Sequence, residues 1–385
     1  MKKLLYIAFK DFSNLHFGAN AKVLSQCRAF AQYGYEVDLI GRSRESTVLI
    51  KNDEQTAIGV CRTGIIKNKR LNSLLGKWHQ YIDICRFIRG KEYDACYIRY
   101  DFSDRGFIKL LKTIKVISKS IIIELPTYPY EAENANGILS KIKLAIDKQY
   151  RKKLHKYVDS FVTFYDGYTE LFGIPVIVVP NGFDFSTMQK VTQPLPEKEI
   201  HIIAVSSMRE WHGYERFIEG MRIYYQDGGK ENLFLHLVGN GREGEKYKVL
   251  TKAYGLNERV FFEGPMYGSA LDDLYERCAI GIDSLARHRS GIDVLSSLKS
   301  REYGAKGIPM INSCKIDIID EDFRYLLRVP ADESPIEMEE VITFFVSCLR
   351  AEKTRQEVAS EIRDYIESKS GMEQTLRNVV KVMEI

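Results

Sequence analysis

The chain has 385 residues, enough for two domains of ordinary size, and its 45% hydrophobic and 28% charged residues are typical of globular proteins. No stretch approaches the roughly 20 apolar residues of a membrane span, and the seven scattered cysteines lack zinc or redox spacing. We therefore predict a cytoplasmic protein. Residues 1–183 carry a net charge of +11 and the remainder −7, so we expect only the first half to meet an anionic partner, with uneven solvated charge as the alternative.

Short apolar runs alternate with segments of helical periodicity in the first half. The runs are LLYIAF, EVDLIG, ACYIRY, SIIIEL, SFVTFY and PVIVVP. This alternation predicts βαβ units and a parallel sheet covered on both faces. His16 and Gly18 lie in the loop after the first run, where glycine lets a ligand approach the backbone closely. In IIIELPTYPYEAE, Glu124 ends a predicted strand and Tyr128 belongs to the rigid aromatic loop that follows, which suits a sugar. A structural role is an equal alternative for each of these residues.

Residues 140–157 form a predicted basic helix. Its apolar positions are Ile142, Ile146, Tyr150, Leu154 and Tyr157, and the other faces are rich in lysine. Such a helix can lie on anionic lipid, or it can bury its apolar stripe in its own sheet and expose a solvated basic face. We find no nucleic-acid-binding motif.

The strand pattern restarts after residues 180–182 with EIHIIAVSS, NLFLHLVG, RVFFEG, AIGIDSL and IPMINS. We therefore predict a domain at 1–183, a second domain at 184–365, and a final helix at 366–385 that packs back on the first domain. In AVSSMREWHG, residues Ser207, Arg209 and His212 follow a strand at the sheet edge where open α/β sheets bind ligands.

LVGNGREGE contains Gly239, Gly241 and Gly244 in GxGxxG spacing, and Glu263 ends the next strand. Alone this is a dinucleotide-binding fingerprint. However, that motif normally follows the first strand of its domain, and here another strand precedes it. We therefore give NAD binding little weight.

Residues 287–309 combine a loop with a short predicted helix. Ser296 or Ser297 would cap its amino end, where the amides of Ser297 and Leu298 and the charge of Lys299 suit an anion. Glu302, one turn further on, suits hydroxyl groups carried beside a phosphate. A sugar nucleotide needs this arrangement, although an ordinary capped helix with a surface glutamate is an alternative.

The spacing of Glu302, Gly307 and Pro309 resembles the donor-site helix of retaining GT-B glycosyltransferases of glycosyltransferase family 4. The family usually carries two glutamates separated by seven residues, and Val294 stands at the first position here. Where the family places an Arg and Lys pair, this sequence has Ser207 and His212. The WHG turn and the ELPTYPY segment resemble subgroups that make bacterial surface polysaccharides.

The resemblance implies an α/β GT-B fold of two Rossmann-like domains that face a central cleft. It implies metal-independent, retaining transfer of a hexose from a UDP- or GDP-sugar to a glycan, lipid-linked and used in capsular or exopolysaccharide synthesis at the inner face of the plasma membrane. No cofactor is expected. The residues that we predict to act are grouped by role as follows: Glu124, Lys299 and Arg209 at the reacting centre; Glu302, Ser297, Leu298, Ser207, His212, Gly239, Gly241 and Glu263 at the donor; Gly18, His16 and Tyr128 at the acceptor. The alternatives are a non-catalytic GT-B protein that binds glycans or supports a partner, and a nucleotide-sugar epimerase.

Overall fold

The computed structural model describes residues 1–15, 18–60, 69–126, 128, 138–164, 167–350 and 353–384. They form two compact units. The first comprises Met1–Gly182 and the chain from Met372 onward, and the second comprises Phe183–Gly371, which extends past the predicted limit at residue 365. No helix in these ranges is both long enough and apolar enough to cross a bilayer.

The first unit is built on a nine-stranded sheet in the order β4-β3-β2-β1-β5-β6-β7-β9-β8. Its elements are β1 (Lys2–Asp11), α1 (Gly18–Gln32), β2 (Tyr35–Ser43), β3 (Ser46–Lys51), β4 (Glu54–Val60), α2 (Lys69–Phe87), β5 (Tyr93–Arg99), α3 (Arg105–Ile117), β6 (Ser118–Leu125), α4 (Ile138–Arg151), β7 (Ser160–Thr163), β8 (Glu170–Leu171) and β9 (Ile174–Val178). Neighbouring strands from β2 through β1, β5, β6 and β7 to β9 are parallel. The predicted α/β class with a parallel sheet is confirmed.

The antiparallel hairpin β3–β4 is absent from the predicted strands. Its turn residues Asn52 and Asp53 have φ of 50° and 64°, a conformation that Asn and Asp tolerate in two-residue hairpins. Most side chains of β4 are exposed, so this strand lacks the apolar run by which the other strands were predicted.

The second unit contains a six-stranded, all-parallel sheet in the order β12-β11-β10-β13-β15-β17 and a separate parallel pair, β14 and β16. Its elements are β10 (Glu199–Val205), α5 (Tyr214–Gln226), β11 (Asn232–Val238), α6 (Gly244–Ala253), β12 (Val260–Gly264), α7 (Ser269–Arg277), β13 (Ile280–Ile282), β14 (Val294–Leu295), α8 (Leu298–Lys306), β15 (Met310–Asn312), β16 (Lys315–Ile316), β17 (Leu326–Arg328), α9 (Met338–Leu349) and α10 (Arg355–Ser370). Every strand of the large sheet ends at one edge, so the loops that could bind a ligand are gathered there.

The last helix, α11 (Met372–Met383), belongs to the first unit. Its apolar stripe Leu376, Val379, Val380 and Met383 is buried in the same hydrophobic cluster as Val23 and Phe30 of α1. A second cluster of this unit contains residues of α2 and α3, with α4 packed against it. The sheet is therefore covered by α1 and α11 on one face and by α2, α3 and α4 on the other.

Candidate functional site

The large sheet of the second unit has a switch point at β10, because β11 lies on one side of this strand and β13 on the other. In open parallel sheets, the crevice outside the carboxyl ends of two such strands is the usual ligand site. Residues 206–213 follow β10, and residues 283–293 follow β13. The candidate site is formed by these two loops and the start of α8.

Helix α8 begins with a capped turn that reaches the protein surface. Ser297 has extended backbone angles, and its hydroxyl accepts a hydrogen bond from the backbone N–H of Lys299 at 3.0 Å. Leu298, the first helical residue, is 37% exposed. The predicted N-cap is thus confirmed at Ser297. The helix dipole and the first-turn amides suit this open end to an anion.

Tyr303 fixes α8 to the switch point. Its buried hydroxyl accepts a hydrogen bond from the N–H of Val205 at 3.2 Å and donates one to the carbonyl of Ile282 at 2.9 Å, so it joins the ends of β10 and β13. Gly281 makes room for this ring, because a Cβ there would lie 2.7 Å from it. Tyr303 therefore anchors α8, with the charged side chains that this helix carries, to the end of β10 and to the end of β13.

Lys299 forms an ion pair with a buried carboxylate at the end of β13. Its Nζ lies 3.0 Å from Oδ1 of Asp283 and 3.4 Å from Oγ of Ser284. Asp283 is completely buried, and its Oδ2 has no hydrogen-bond partner among the described residues. Burial lowers the pKa of Lys299, while the charge of Asp283 opposes that shift. The pair positions an ammonium group beside the open end of α8.

His212 lies in the turn after β10 as a neutral hydrogen-bonding group. Its Nδ1 accepts a hydrogen bond from the backbone N–H of Arg209 at 2.8 Å, which leaves the ring proton on Nε2. Burial lowers the pKa of His212 to about 2, and the positive charges of Lys299, Arg287 and Arg209 act in the same direction. His212 is therefore a neutral N–H donor at neutral pH.

The loops after β10 and β13 pack closely on each other. Gly213 has φ 61°, and a Cβ at this position would lie 2.6 Å from the side chain of Ala286. The N–H of Leu285 donates to the carbonyl of His212 at 2.9 Å, and the guanidinium of Arg287 lies 5.5 Å from the ring centre of Trp211. This packing gathers Arg209, Arg287 and Lys299 around His212. Ser207 is exposed in the same turn.

Glu302 lies one helical turn beyond Lys299 and is partly buried. Its Oε1 accepts a hydrogen bond from the hydroxyl of Tyr275, a fully buried residue of α7, at 2.7 Å. Burial raises the pKa of this carboxyl, against the hydrogen bond from Tyr275 and the charges of Lys306 and Lys299. The predicted placement of a carboxylate one turn from the capped end is confirmed, and its contact with ribose stays a prediction.

Gly239 and Gly241 are required by contacts between two loops. A Cβ at Gly239 would overlap the carbonyl oxygen of Ser206, and one at Gly241 would overlap that of Ser207. Glycine thus lets the loop after β11 press against the loop after β10. Glu263 lies on the edge strand β12, and its Oε1 is 2.8 Å from Nδ1 of His236. The structure does not group Glu263 with Lys299 or Glu302.

Val294, at the position of the first family glutamate, is in the short strand β14 and is 50% exposed. Its strand pairs with β16 and contributes no carboxylate in its place. The short strand β14 therefore does not compensate for the glutamate that the resembled family has at this position.

Glu124 is the centre of a fully buried network in the first unit. Its Oε1 pairs with Arg99 on the neighbouring strand, and its Oε2 accepts hydrogen bonds from Gln26 at 2.5 Å and Tyr97 at 2.8 Å. Burial raises the pKa of Glu124, but the charge of Arg99 and the hydrogen bonds from Gln26 and Tyr97 help to hold this pKa below its usual value. Both oxygens of this carboxylate are thus engaged, and its place at the reacting centre stays a prediction.

The predicted acceptor residues are only partly visible. Gly18 begins α1, whereas His16 lies outside the described residues. Tyr128 is half-buried, with its ring edge-on to Tyr168 at 5.0 Å between centres. These positions do not test acceptor binding.

Sequence reasoning missed Asp283, Ser284 and Arg287. The signal was present, since Asp283 directly follows the apolar strand Ile280–Ile282 and a charged residue at a buried strand end needs a partner. What the sequence could not give is the identity of that partner. Within the described ranges, no group of three or more His, Cys, Asp or Glu side chains is placed to hold a metal ion.

Comparisons with known proteins bear on the family and on the fold. Residues 186–292 match the family model described as glycosyl transferases group 1. No curated protein matches the chain significantly.

Solved structures of similar fold extend over almost the whole chain. Sucrose-phosphate synthase from Thermosynechococcus elongatus has a TM-score of 0.64 at 15% identity, with 99% of this chain and 98% of that chain covered. HepE from Anabaena in complex with UDP has a TM-score of 0.58 at 12% identity, covering 100% and 99%. The lipopolysaccharide outer core galactosyltransferase WaaB has a TM-score of 0.57 at 14% identity, covering 98% and 99%. The fold is that of GT-B glycosyltransferases, and the match of residues 186–292 supports a glycosyltransferase.

Proposed function

We propose that this chain transfers a hexose from a UDP- or GDP-sugar to a glycan acceptor with retention of configuration and without a metal. The observation that carries the proposal is the open, capped start of α8 with Lys299 held 3.0 Å from Asp283 at the switch point. A departing nucleoside diphosphate develops negative charge, and preorganised donors that face this charge supply most of the catalysis.

Each group is assigned a role from its position in the site. The backbone amides of Ser297 and Leu298 would bind the diphosphate oxygens, together with the side chains of Lys299 and Arg209. His212 would add a neutral Nε2–H donor. Tyr275 holds Oε1 of Glu302 and so orients the carboxylate for ribose hydroxyls. The site supplies charge and hydrogen bonds to the leaving group.

We further propose a lipid-linked acceptor and a role in bacterial capsular or exopolysaccharide synthesis at the inner membrane face, with residues 140–157 in contact with anionic lipid. Support comes from the resemblance of the WHG and ELPTYPY segments to polysaccharide enzymes, and from the structural likeness to a lipopolysaccharide galactosyltransferase. The positive charge of the first half agrees with a phosphate-bearing acceptor.

The test is a donor-turnover assay with UDP- and GDP-hexoses, with and without a chelator, on the wild type and a Lys299→Met/Asp283→Asn variant. The double change removes both charges together, so it avoids a buried charge without a partner. The control is Lys248→Met, at an exposed residue of α6 whose ion pair is with Glu245 on the same helix. We expect turnover by the wild type and the control, no effect of the chelator, and retained anomeric configuration by NMR. Turnover that survives in the double variant would refute the site.

Val294 keeps a second candidate open, because its exposed side chain replaces a glutamate of the resembled family. A non-catalytic GT-B protein would bind a nucleotide and turn over no donor. An epimerase would change the sugar of the donor with no acceptor present.

A further inference from the structure

Three neighbouring helices of the first unit share one outer layer. Inward residues such as Ile84 of α2 and Leu111 of α3 belong to one hydrophobic cluster, and Leu144 of α4 packs against it. Helices α2 and α4 also converge on the start of α3, because Lys77 and Lys143 both contact Asp101, at 2.8 and 3.2 Å. The outward sides of α2, α3 and α4 therefore form one surface, here called the basic face.

The basic face exposes large apolar side chains in pairs one helical turn apart. Trp78 and Ile82 of α2 are 58% and 42% exposed, and Ile142 and Ile146 of α4 are 50% and 38% exposed. Leu154 from the predicted apolar stripe of residues 140–157 is buried, but the two isoleucines are not. Exposed apolar side chains grouped in this way are typical of surfaces that bind a partner or a membrane.

The charge of the basic face is predominantly positive. Each of the three helices carries four Lys or Arg residues, and their only acids, Asp83 and Asp147, are both buried. Within the described part of the chain, five exposed basic residues have no ion-pair partner: Arg105, Lys109, Lys112, Lys141 and Lys148. The surface combines a cationic field with apolar side chains that project through it.

We propose that the basic face docks on an anionic lipid bilayer. Lys and Arg side chains would meet lipid phosphates, while the rings and branched chains of Trp78, Ile82, Ile142 and Ile146 enter the headgroup region, where tryptophan is favoured. A second copy is a poorer occupant, because two basic faces would repel each other. The proposal rests on the lipid contact proposed above for residues 140–157 and extends it, because it adds α2 and α3 to the same surface. Its test needs neither donor nor acceptor.

Vesicle co-sedimentation tests the proposal. The full chain is mixed with vesicles of phosphatidylcholine or of phosphatidylcholine with phosphatidylglycerol, at low and high salt. We expect binding only to the anionic vesicles, with release by salt. Lys109→Glu/Lys112→Glu should weaken this binding at least about tenfold, because each basic residue near the membrane contributes separately. Lys246→Glu/Lys248→Glu, on exposed positions of α6 in the second unit, is the matched control and should bind as the wild type does.

Tryptophan fluorescence tests the apolar part. Anionic vesicles should shift the emission of the wild type to shorter wavelength, and Trp78→Phe should abolish the shift. Equal binding to neutral vesicles, no binding, an unchanged Lys109→Glu/Lys112→Glu variant, or preference for a nucleic acid over vesicles would overturn the proposal. Light scattering that shows a dimer broken by Trp78→Ser/Ile142→Ser would overturn it in favour of self-association. Nucleotide binding should be unchanged in Lys109→Glu/Lys112→Glu, so this proposal and the donor site can fail separately.

Discussion

Each unit contains an ion pair near the end of a strand, and the two pairs serve different purposes. Arg99 and Glu124 lie on adjacent strands of the first unit, and both carboxylate oxygens are satisfied by internal partners. Lys299 and Asp283 pair in the second unit beside an open helix start, and Oδ2 of Asp283 lacks a partner among the described residues. A closed network stabilises a fold, whereas the ammonium group of Lys299 has three N–H donors for two protein acceptors and keeps one donor for a ligand.

We expect the largest effect at the fully satisfied Arg99–Glu124 pair. Glu124→Gln should lower the free energy of unfolding of the first unit by about 3 to 5 kcal/mol, because Arg99 is left charged and buried without its counter-ion. Arg99→Met/Glu124→Gln should restore much of that loss. Urea denaturation measures both. Donor turnover by the folded double variant would rule out Glu124 at the reacting centre, and a stable but inactive double variant would support the prediction from the sequence.

Removal of the Lys299–Asp283 pair should affect ligand binding more than stability. Lys299→Met/Asp283→Asn should reduce donor turnover about 100-fold or more, since one preorganised donor at a developing anion contributes about that much. Its urea midpoint should stay near that of the wild type, because both charges leave together. A large loss of stability with intact turnover would reverse the assignment of the two pairs.

The buried imidazole of His212 makes the free energy of unfolding depend on pH. Its folded pKa of about 2 lies below the ordinary value of 6.5, so below pH 6.5 the unfolded chain binds a proton that the folded chain excludes. This contribution to stability is therefore lost as pH falls through the window from 6.5 toward 2, at about 1.4 kcal/mol per pH unit. His212→Asn keeps an acceptor for the N–H of Arg209 without titrating. Between pH 7.5 and 5, the wild type should lose about 2 kcal/mol more than this variant; equal losses would contradict a buried neutral imidazole.

The smallest effect is expected at Tyr275. Tyr275→Phe removes the hydrogen bond to Glu302 and should weaken nucleotide binding by about 1 kcal/mol, the typical net value of one such bond. Uridine diphosphate titration measures the change. Loss of binding altogether would mean that the tyrosine does more than orient the carboxylate.

The sequence predicted what short-range patterns determine. Alternating apolar runs gave the strands, and the serine before an apolar position gave the cap at Ser297. Pairings between distant segments were beyond it: Glu124 faces Arg99 because of strand register, and Lys299 meets Asp283 because α8 lies over the end of β13. Whether Ile142 and Ile146 are exposed or buried was left open for the same reason, since helical periodicity does not show which part of an apolar stripe meets the sheet.

Diphosphate binding at the start of α8 is best tested by comparing the affinities of UDP and UMP in calorimetric titrations. If the start of α8 and Lys299 bind the diphosphate, UDP should bind the wild type more tightly than UMP, and this difference should vanish in Lys299→Met/Asp283→Asn while remaining in Lys248→Met. Equal affinities of UDP and UMP, with GDP and GMP also equal, would contradict a diphosphate site at this helix.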